Sequence, residues 1–331
     1  MELNLRGVTR VALVVLACCG TVVHAQQNAR APKAYPERAV RIIVGSPAGS
    51  GSDNMIRRVS PVIGERLGTP VVVENRGGAV GAIAVDLASQ ATADGHTLLV
   101  LNGQSISGML LKQIKVDIPK AFVPIAQMSA QPYLVVANPA LPVSTVKELI
   151  ALAKTKPGAL AYASSGVGGQ VHLGMELLNL MAGTEMLHVP FKGSAFVVTE
   201  VMSGRVQLAI TNVLTAGPLV KSGRLKALAV TTLQRTPAFP GVPTVAESGL
   251  PGYELDNWYG LFAPTGTPPA IVKKLNGTVV EIMNSPDMRR DLAALGVEAI
   301  PPHSPNDFRL LIAREVVKWD TFLKKTPIKF E

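Results

Sequence analysis

Cysteine is nearly missing from this chain: of 331 residues, only Cys18 and Cys19 carry a thiol. Both sit near the N-terminus, so the body of the protein has no disulfide, no thiolate nucleophile and no cysteine-bound metal. Aromatic residues make up 5% of the sequence, and a formal net charge of +9 is spread without any run of five or six lysines and arginines. Stacking platforms for nucleic acid are therefore not expected, and a mildly basic surface suits an anionic ligand. His96, His172, His188 and His303 are far apart in sequence and form no HxH or HExxH pair, so neither a metal centre nor a cofactor is expected. Beyond the N-terminal segment, no apolar stretch reaches the length of a membrane span.

With 47% hydrophobic and 17% charged residues, the chain is large enough for two lobes. Arg6 and Arg10 precede the apolar run VALVVLACC, and Val23-His24-Ala25 offers a small-residue cleavage site. This order describes a secretory leader over residues 1–25, cleaved after Ala25, and a periplasmic product. Leu16-Ala17-Cys18 also resembles part of a lipobox, which leaves lipid anchoring at Cys18 as the alternative. A polar, proline-bearing tether follows at 26–36.

The mature chain alternates short apolar runs with amphipathic stretches, the rhythm of parallel sheets with helical crossovers. RIIV (41–44), VVVE (71–74) and HTLLVLN (96–102) read as strands of a first lobe. A helix opens near Asp53, capped by Ser52 or Asp53, and Pro61 predicts a bend or an early end near Ser60. The rhythm restarts after PYLVVAN (132–138). Thr145 and Glu148 form a capping box ahead of a helix, and Leu173, Leu177, Leu180 and Met181 mark one face of another over 170–181. These readings place the first lobe at 37–139 and 252–331, with the C-terminal helices returning to it, and the second lobe at 140–251.

The loop IIVGSPAGSGSDN (42–54) is the most suggestive stretch. Gly49-Ser50-Gly51 supplies two glycines of a dinucleotide fingerprint, but Asn54 stands where the third belongs. A P-loop lysine is missing as well. What remains is a strand-to-helix turn whose amides and helix terminus suit an anion such as a carboxylate. SSGVGG (164–169) and NGQS (102–105) have the same character, and loops at the carboxyl ends of parallel strands converge on a crevice. A serine hydrolase built on Ser164 or Ser165 with His172 or His188 stays open as an alternative, although Ser165 lacks the GxSxG elbow.

In order along the chain stand YPERAVRIIVGSPAGSGSD, VVVENRGGAVGAIA, ADGHTLL, KELIALAKTKPGALAYASSGVGGQVHL, HVPFKG, SGRVQLAI, SGRLKALAVTT and PTVAESGLPGYELDNWYGLFAPTGTP, then EVVKW. With this order and spacing the sequence resembles the periplasmic substrate-binding proteins of the tripartite tricarboxylate transporter family, also called the Bug family, over essentially the whole mature chain. The resemblance implies a type II periplasmic-binding-protein-like α/β fold, two lobes closing on a cleft, and no catalysis. It implies a small carboxylate as ligand (a di- or tricarboxylate, acidic amino acid or aromatic acid). The partners it implies are a large and a small integral-membrane permease subunit, with a monomeric receptor; some members serve signalling systems instead. Carried onto this chain, it nominates Ala48, Gly49, Ser52, Asp53, Gly103, Gln104 and Ser105 in the first lobe. In the second it nominates Ser164, Ser165, Gly168, His172, Phe191, Lys192, Gly193 and Asn212. Gly45-Ser46 departs from the family's usual proline-phenylalanine pair, and His96 stands for the tyrosine of DGYTLL.

Overall fold

Five strands of this protein, in two parallel groups, end at loops or helix starts that face one cleft, and the arrangement follows from where the apolar runs stop. The computed structural model describes residues 35–326 except 192, 193, 295, 296, 298 and 299. The leader, nearly all of the tether, and Lys192 and Gly193 therefore lie outside the described residues.

In chain order the first elements are β1 (Val40–Val44), α1 (Gly51–Leu67), β2 (Val71–Asn75), α2 (Ala82–Ser89), β3 (Thr97–Asn102), α3 (Gly103–Leu110), α4 (Ile118–Ala121) and β4 (Phe122–Ala137). Next come α5 (Val146–Thr155), β5 (Ala161–Ser164), α6 (Gln170–Ala182), β6 (Leu187–Pro190), α7 (Ser194–Ser203), β7 (Leu208–Asn212), α8 (Val213–Lys221) and β8 (Lys226–Val230). The chain finishes with β9 (Asp256–Pro264), α9 (Pro269–Asn284), α10 (Pro286–Ala294) and α11 (Pro305–Lys325).

The strand order is β2-β1-β3-β9-β4-β7-β5-β6, with β8 also on β4. β1 pairs in parallel with β2 and β3, and β5 with β6 and β7, so each half has a parallel core. The long strand β4 joins them: residues 122–132 pair antiparallel with β9, and residues 133–137 with β7 and β8. The sequence reading saw only the end of β4, because Pro124 and Pro132 interrupt it. Pro124 sits at a register shift and Pro132 where the pairing partner changes, the two kinds of place where a strand tolerates a missing amide.

Helix α1 corrects two expectations. Ser50 is its N-cap, accepting from the Asp53 amide, and Gly68 closes it at φ 70°. The helix also runs unbroken through Pro61. Arg57 and Pro61 are exposed, so water can satisfy the carbonyl that loses its partner, while Met55, Ile56, Val59, Ile63 and Leu67 anchor the opposite face on both sides of the proline. In α6 the buried face is Leu173, Met175, Leu178 and Ala182, whereas Leu180 and Met181 face solvent.

The last helix serves both halves. Phe308 and Ile312 of α11 pack with Trp258, Phe262 and Leu101, while Trp319 and Phe322 pack with Tyr162, Leu173 and Tyr133. The Trp319 indole is fully buried and donates to Glu315 Oε2 at 3.0 Å. Of the C-terminal helices, α9 and α10 lie against α1, through Arg66–Glu281 and Arg58–Asp291, and α11 alone spans both cores. Among the described residues no helix is long and apolar enough to cross a membrane.

Candidate ligand-binding site

A cleft of about 450 Å³ opens where the two sheets meet. Its size is that of a small-molecule site. The residues after β1, β3, β5, β6 and β7 all reach it: Ser46, Asn102, Ser165, Phe191 and Asn212 lie on its wall. This is the carboxyl-end rule of parallel sheets, applied twice and turned face to face.

Helix starts dominate the lining. Ser50, Asn102, Gly169 and Asn212 are the N-caps of α1, α3, α6 and α8, and all of them line the cleft. In α1 the Asp53 amide goes to Ser50 Oγ and the Asn54 amide to the Ser50 carbonyl at 2.9 Å. Among the described residues the amides of Gly51 and Ser52 have no hydrogen-bond partner. In α6 the Leu173 amide takes the Gly169 carbonyl, and the glycine cap supplies no side chain, so the amides of Gln170 and Val171 are also free. Four positive helix ends thus meet in one space, and no charged side chain is among the described residues lining it.

Polar side chains complete the wall. Tyr133 Oη donates to Gln170 Oε1 at 2.9 Å, and Gln170 Nε2 donates to the Asp256 carbonyl at 2.8 Å. Tyr259 Oη accepts from Asn257 Nδ2 at 3.2 Å, and burial pushes its phenol up to about 12. Thr211 Oγ1 is buried without a partner. Val80, Val171, Val197 and Ile210 supply the apolar part.

The residues nominated from sequence divide into three groups. Ser52, Gln104, Ser165, Phe191 and Asn212 line the cleft. Ala48, Gly49, Asp53, Gly103, Ser105, Ser164, Gly168 and His172 do not; they lie behind or beside its wall. Lys192 and Gly193 are the third group, outside the described residues. Asp53 is turned from the cleft into a ring of donors: the Gly49 amide at 2.8 Å, Arg57 Nε at 2.8 Å and Asn75 Nδ2 at 2.9 Å. Burial alone would raise its carboxyl, but these bonds outweigh it and hold the group below its ordinary value. Gly103 gives the Gln170 amide room, since a Cβ there would lie 2.3 Å from Nε2.

His172 belongs to the scaffold of the second-lobe loop. Its ring stacks on His188 at 3.7 Å and 10°, with Tyr162 beside the pair, 5.0 Å from His188 and 6.2 Å from His172. His172 Nδ1 accepts the Gly168 amide at 2.9 Å, and His188 Nε2 meets Ser164 Oγ at 2.6 Å. Burial, helped by His188, lowers His172 to about 3, and burial lowers His188 to about 4, so both rings are neutral at pH 7. His96 accepts from the Glu37 amide and His303 from the Gln127 amide, structural duties in both cases.

Sequence reasoning missed Tyr133, Gln170, Asn257 and Tyr259. β4 and β9 bring three of them together from distant parts of the chain. The N-cap positions Asn102, Gly169 and Asn212 had a local signal, because each follows a strand and precedes an apolar-periodic stretch.

Residues 55–328 match the tripartite tricarboxylate transporter family receptor. The chain belongs to this family. Among the relatives of this receptor, the protein BugT of Bordetella pertussis is 34% identical over 300 residues, covering 90% of this chain and 92% of BugT. The solved structure of R. palustris Rpa4515 with adipate superposes with a TM-score of 0.82 at 34% identity, covering 89% of this chain and 99% of that one. MatC from Rhodopseudomonas palustris with bound malate gives 0.79 at 30% identity, covering 87% and 100%. The receptor fold is thus the two-lobed α/β architecture of periplasmic solute-binding proteins, and the cleft described above lies between its lobes.

Proposed function

We propose that this protein is an extracytoplasmic receptor that captures a small carboxylate and delivers it to a tripartite tricarboxylate-type membrane transporter. The observation that carries this reading is the convergence of four helix N-termini, with free amides on α1 and α6, on a cleft whose described lining holds no ionised side chain. Amides of that kind hold an anion without a counter-ion, and at once from both lobes. The ligand is a di- or tricarboxylate, an acidic amino acid or an aromatic acid; the adipate and malate bound by two relatives are acids of the first kind.

Binding without turnover fits the site. Ser164 is fully buried and off the cleft surface, its hydroxyl engaged with His188 and the Gly166 carbonyl, and among the described residues no carboxylate bonds to His188. The remaining parts of the reading are a leader removed after Ala25, a periplasmic monomer, and contact with a large and a small permease subunit. The lobe limits at residues 139 and 252 are part of it too, supported by the change of pairing partner within β4 and by β9 starting at Asp256.

A thermal-shift screen of mono-, di- and tricarboxylates, acidic amino acids, aromatic acids and neutral sugars tests the proposal. A ligand at a hundredfold excess over its Kd adds about 2.7 kcal/mol to the native state, a readily measured shift in Tm. Tight binding of a sugar with no response to any acid would sink it.

A further inference from the structure

We infer that the first-lobe corner of the cleft selects acids bearing a hydroxyl on the carbon next to the carboxylate, and that Ser46 is the residue that reads this hydroxyl. The inference rests on the carboxylate reading above and narrows it to a chemical class.

The corner has an anion end. The Gly51 and Ser52 amides head α1 with no acceptor of their own among the described residues. Tyr259 lies over the same place: a Cβ on Gly51 would come within 2.2 Å of its hydroxyl oxygen. That oxygen accepts from Asn257 Nδ2, and its own hydrogen has no acceptor among the described residues. Two amides and a phenol therefore point donors at one spot. Arg57, the nearby cation, is turned away and held by Asp53 and Asn75.

Beside it is a hydroxyl end. Ser46 Oγ is 2.7 Å from Ser50 Oγ and also bonded to Ser52 Oγ, while Ser50 and Ser52 are 3.3 Å apart. Each serine hydroxyl has one hydrogen and two lone pairs. The three contacts can close a ring that uses all three hydrogens, and the Asp53 amide takes a further lone pair of Ser50. Two of the six lone pairs then remain as acceptors, one on Ser46 and one on Ser52. Spare acceptors of this kind suit the hydroxyl of an alcohol, which donates to them, and do not suit a carboxylate oxygen, which only accepts.

The two ends share a residue. Ser52 gives its amide to the anion end and its Oγ to the hydroxyl cluster, so the subsites are a single residue apart. That is the spacing of a carboxylate and a hydroxyl on adjoining carbons. Ser46 is the member of the cluster best suited to read the ligand, because Ser50 also caps α1 through the Asp53 amide and Ser52 is buried, whereas Ser46 is part-exposed on the cleft wall.

Calorimetry at pH 7.5 on matched pairs tests this: propionate and lactate, succinate and malate, glutarate and 2-hydroxyglutarate, phenylacetate and mandelate. The hydroxylated member of each binding pair is expected to bind about tenfold tighter, the worth of one hydrogen bond exchanged with water. Ser46→Ala should shrink that ratio to about threefold or less while moving the plain acid's Kd by no more than about threefold. Ser46→Thr, which keeps the hydroxyl, should restore the preference. Equal binding within pairs in the wild type, or a preference that survives Ser46→Ala, overturns the inference and leaves the carboxylate reading intact. Failure of every acid to bind overturns both.

Discussion

Acidification from pH 7 to pH 5 is expected to cost this receptor about 3 kcal/mol of folding stability, and the stacked histidines are the reason. His172 and His188 lie face to face at 3.7 Å, and burial holds them at about 3 and about 4 against an ordinary value of 6.5. Because the folded values are the lower ones, the unfolded chain takes up protons first as pH falls. The stability they contribute is complete above about pH 6.5 and drains away toward their folded values. Each group loses about 1.4 kcal/mol per pH unit, so two of them lose about 4 kcal/mol between pH 6.5 and 5. Asp256 opposes this. Burial and then Glu254 raise it to about 6, with Glu315 adding to and Lys318 opposing the rise, so it stays protonated in the folded state below pH 6. It returns about 1.4 kcal/mol between pH 6 and 5. The lowered carboxyls Asp53, Asp94, Glu247 and Asp307 lose their contribution only at more acid pH. Urea denaturation at pH 7, 6 and 5 measures the net loss, and Asp256→Asn should steepen it. Histidine proton resonances titrated by NMR give an independent check that requires no variant. Equal stability at pH 7 and 5 in both proteins, or imidazoles titrating near 6.5, would refute the argument.

Gly51→Ala should weaken acid binding by tenfold or more at a stability cost of about 1–3 kcal/mol, because the new Cβ would overlap the Tyr259 hydroxyl. Calorimetry alongside a urea melt separates the two effects. Gly49→Ala should leave affinity unchanged and cost about 1–2 kcal/mol, since its φ is +78°, its amide is spent on Asp53 and nothing lies within 4 Å of the added methyl. Affinity for a fully ionised acid should be flat from pH 7 to 9, because the lining tyrosines are raised by burial and no other described lining side chain titrates there; a tenfold change over that range would point to an ionised contact.

The parallel halves were legible because each βα unit announces itself: RIIV, HTLLVLN and ALAYASSG are apolar runs that end in small or polar residues. Five of the nominated site residues reach the cleft for the same reason. Helix α3 was not legible, since GQSISGML has two glycines and two serines and forms a helix only through burial of Ile106 and Ser107 and the close fit of Gly108 to Val80. Strand β4 was hidden by its prolines. Asp53 illustrates a different limit. Sequence placed it in the right loop, yet which way a carboxylate turns depends on Asn75 and Arg57, and Asn75 arrives from a separate strand. The Gly45-Ser46 departure was visible as a loss of bulk; the serine contacts it makes in exchange required the folded loop.

Helix α11 has a consequence for how the chain reaches this state. Phe308 and Ile312 complete one core and Trp319 and Phe322 the other, along a rod of about 32 Å. Neither half can finish folding as the ribosome releases it, because both await the last helix described. β9 imposes the same delay on the first sheet, which has the strand between β3 and β4 only once residue 264 is made. A chain whose cores close last stays threadable for longest. Late closure of both cores keeps the chain unfolded until its C-terminal helix is released, and the finished fold is expected to melt as one cooperative body rather than lobe by lobe.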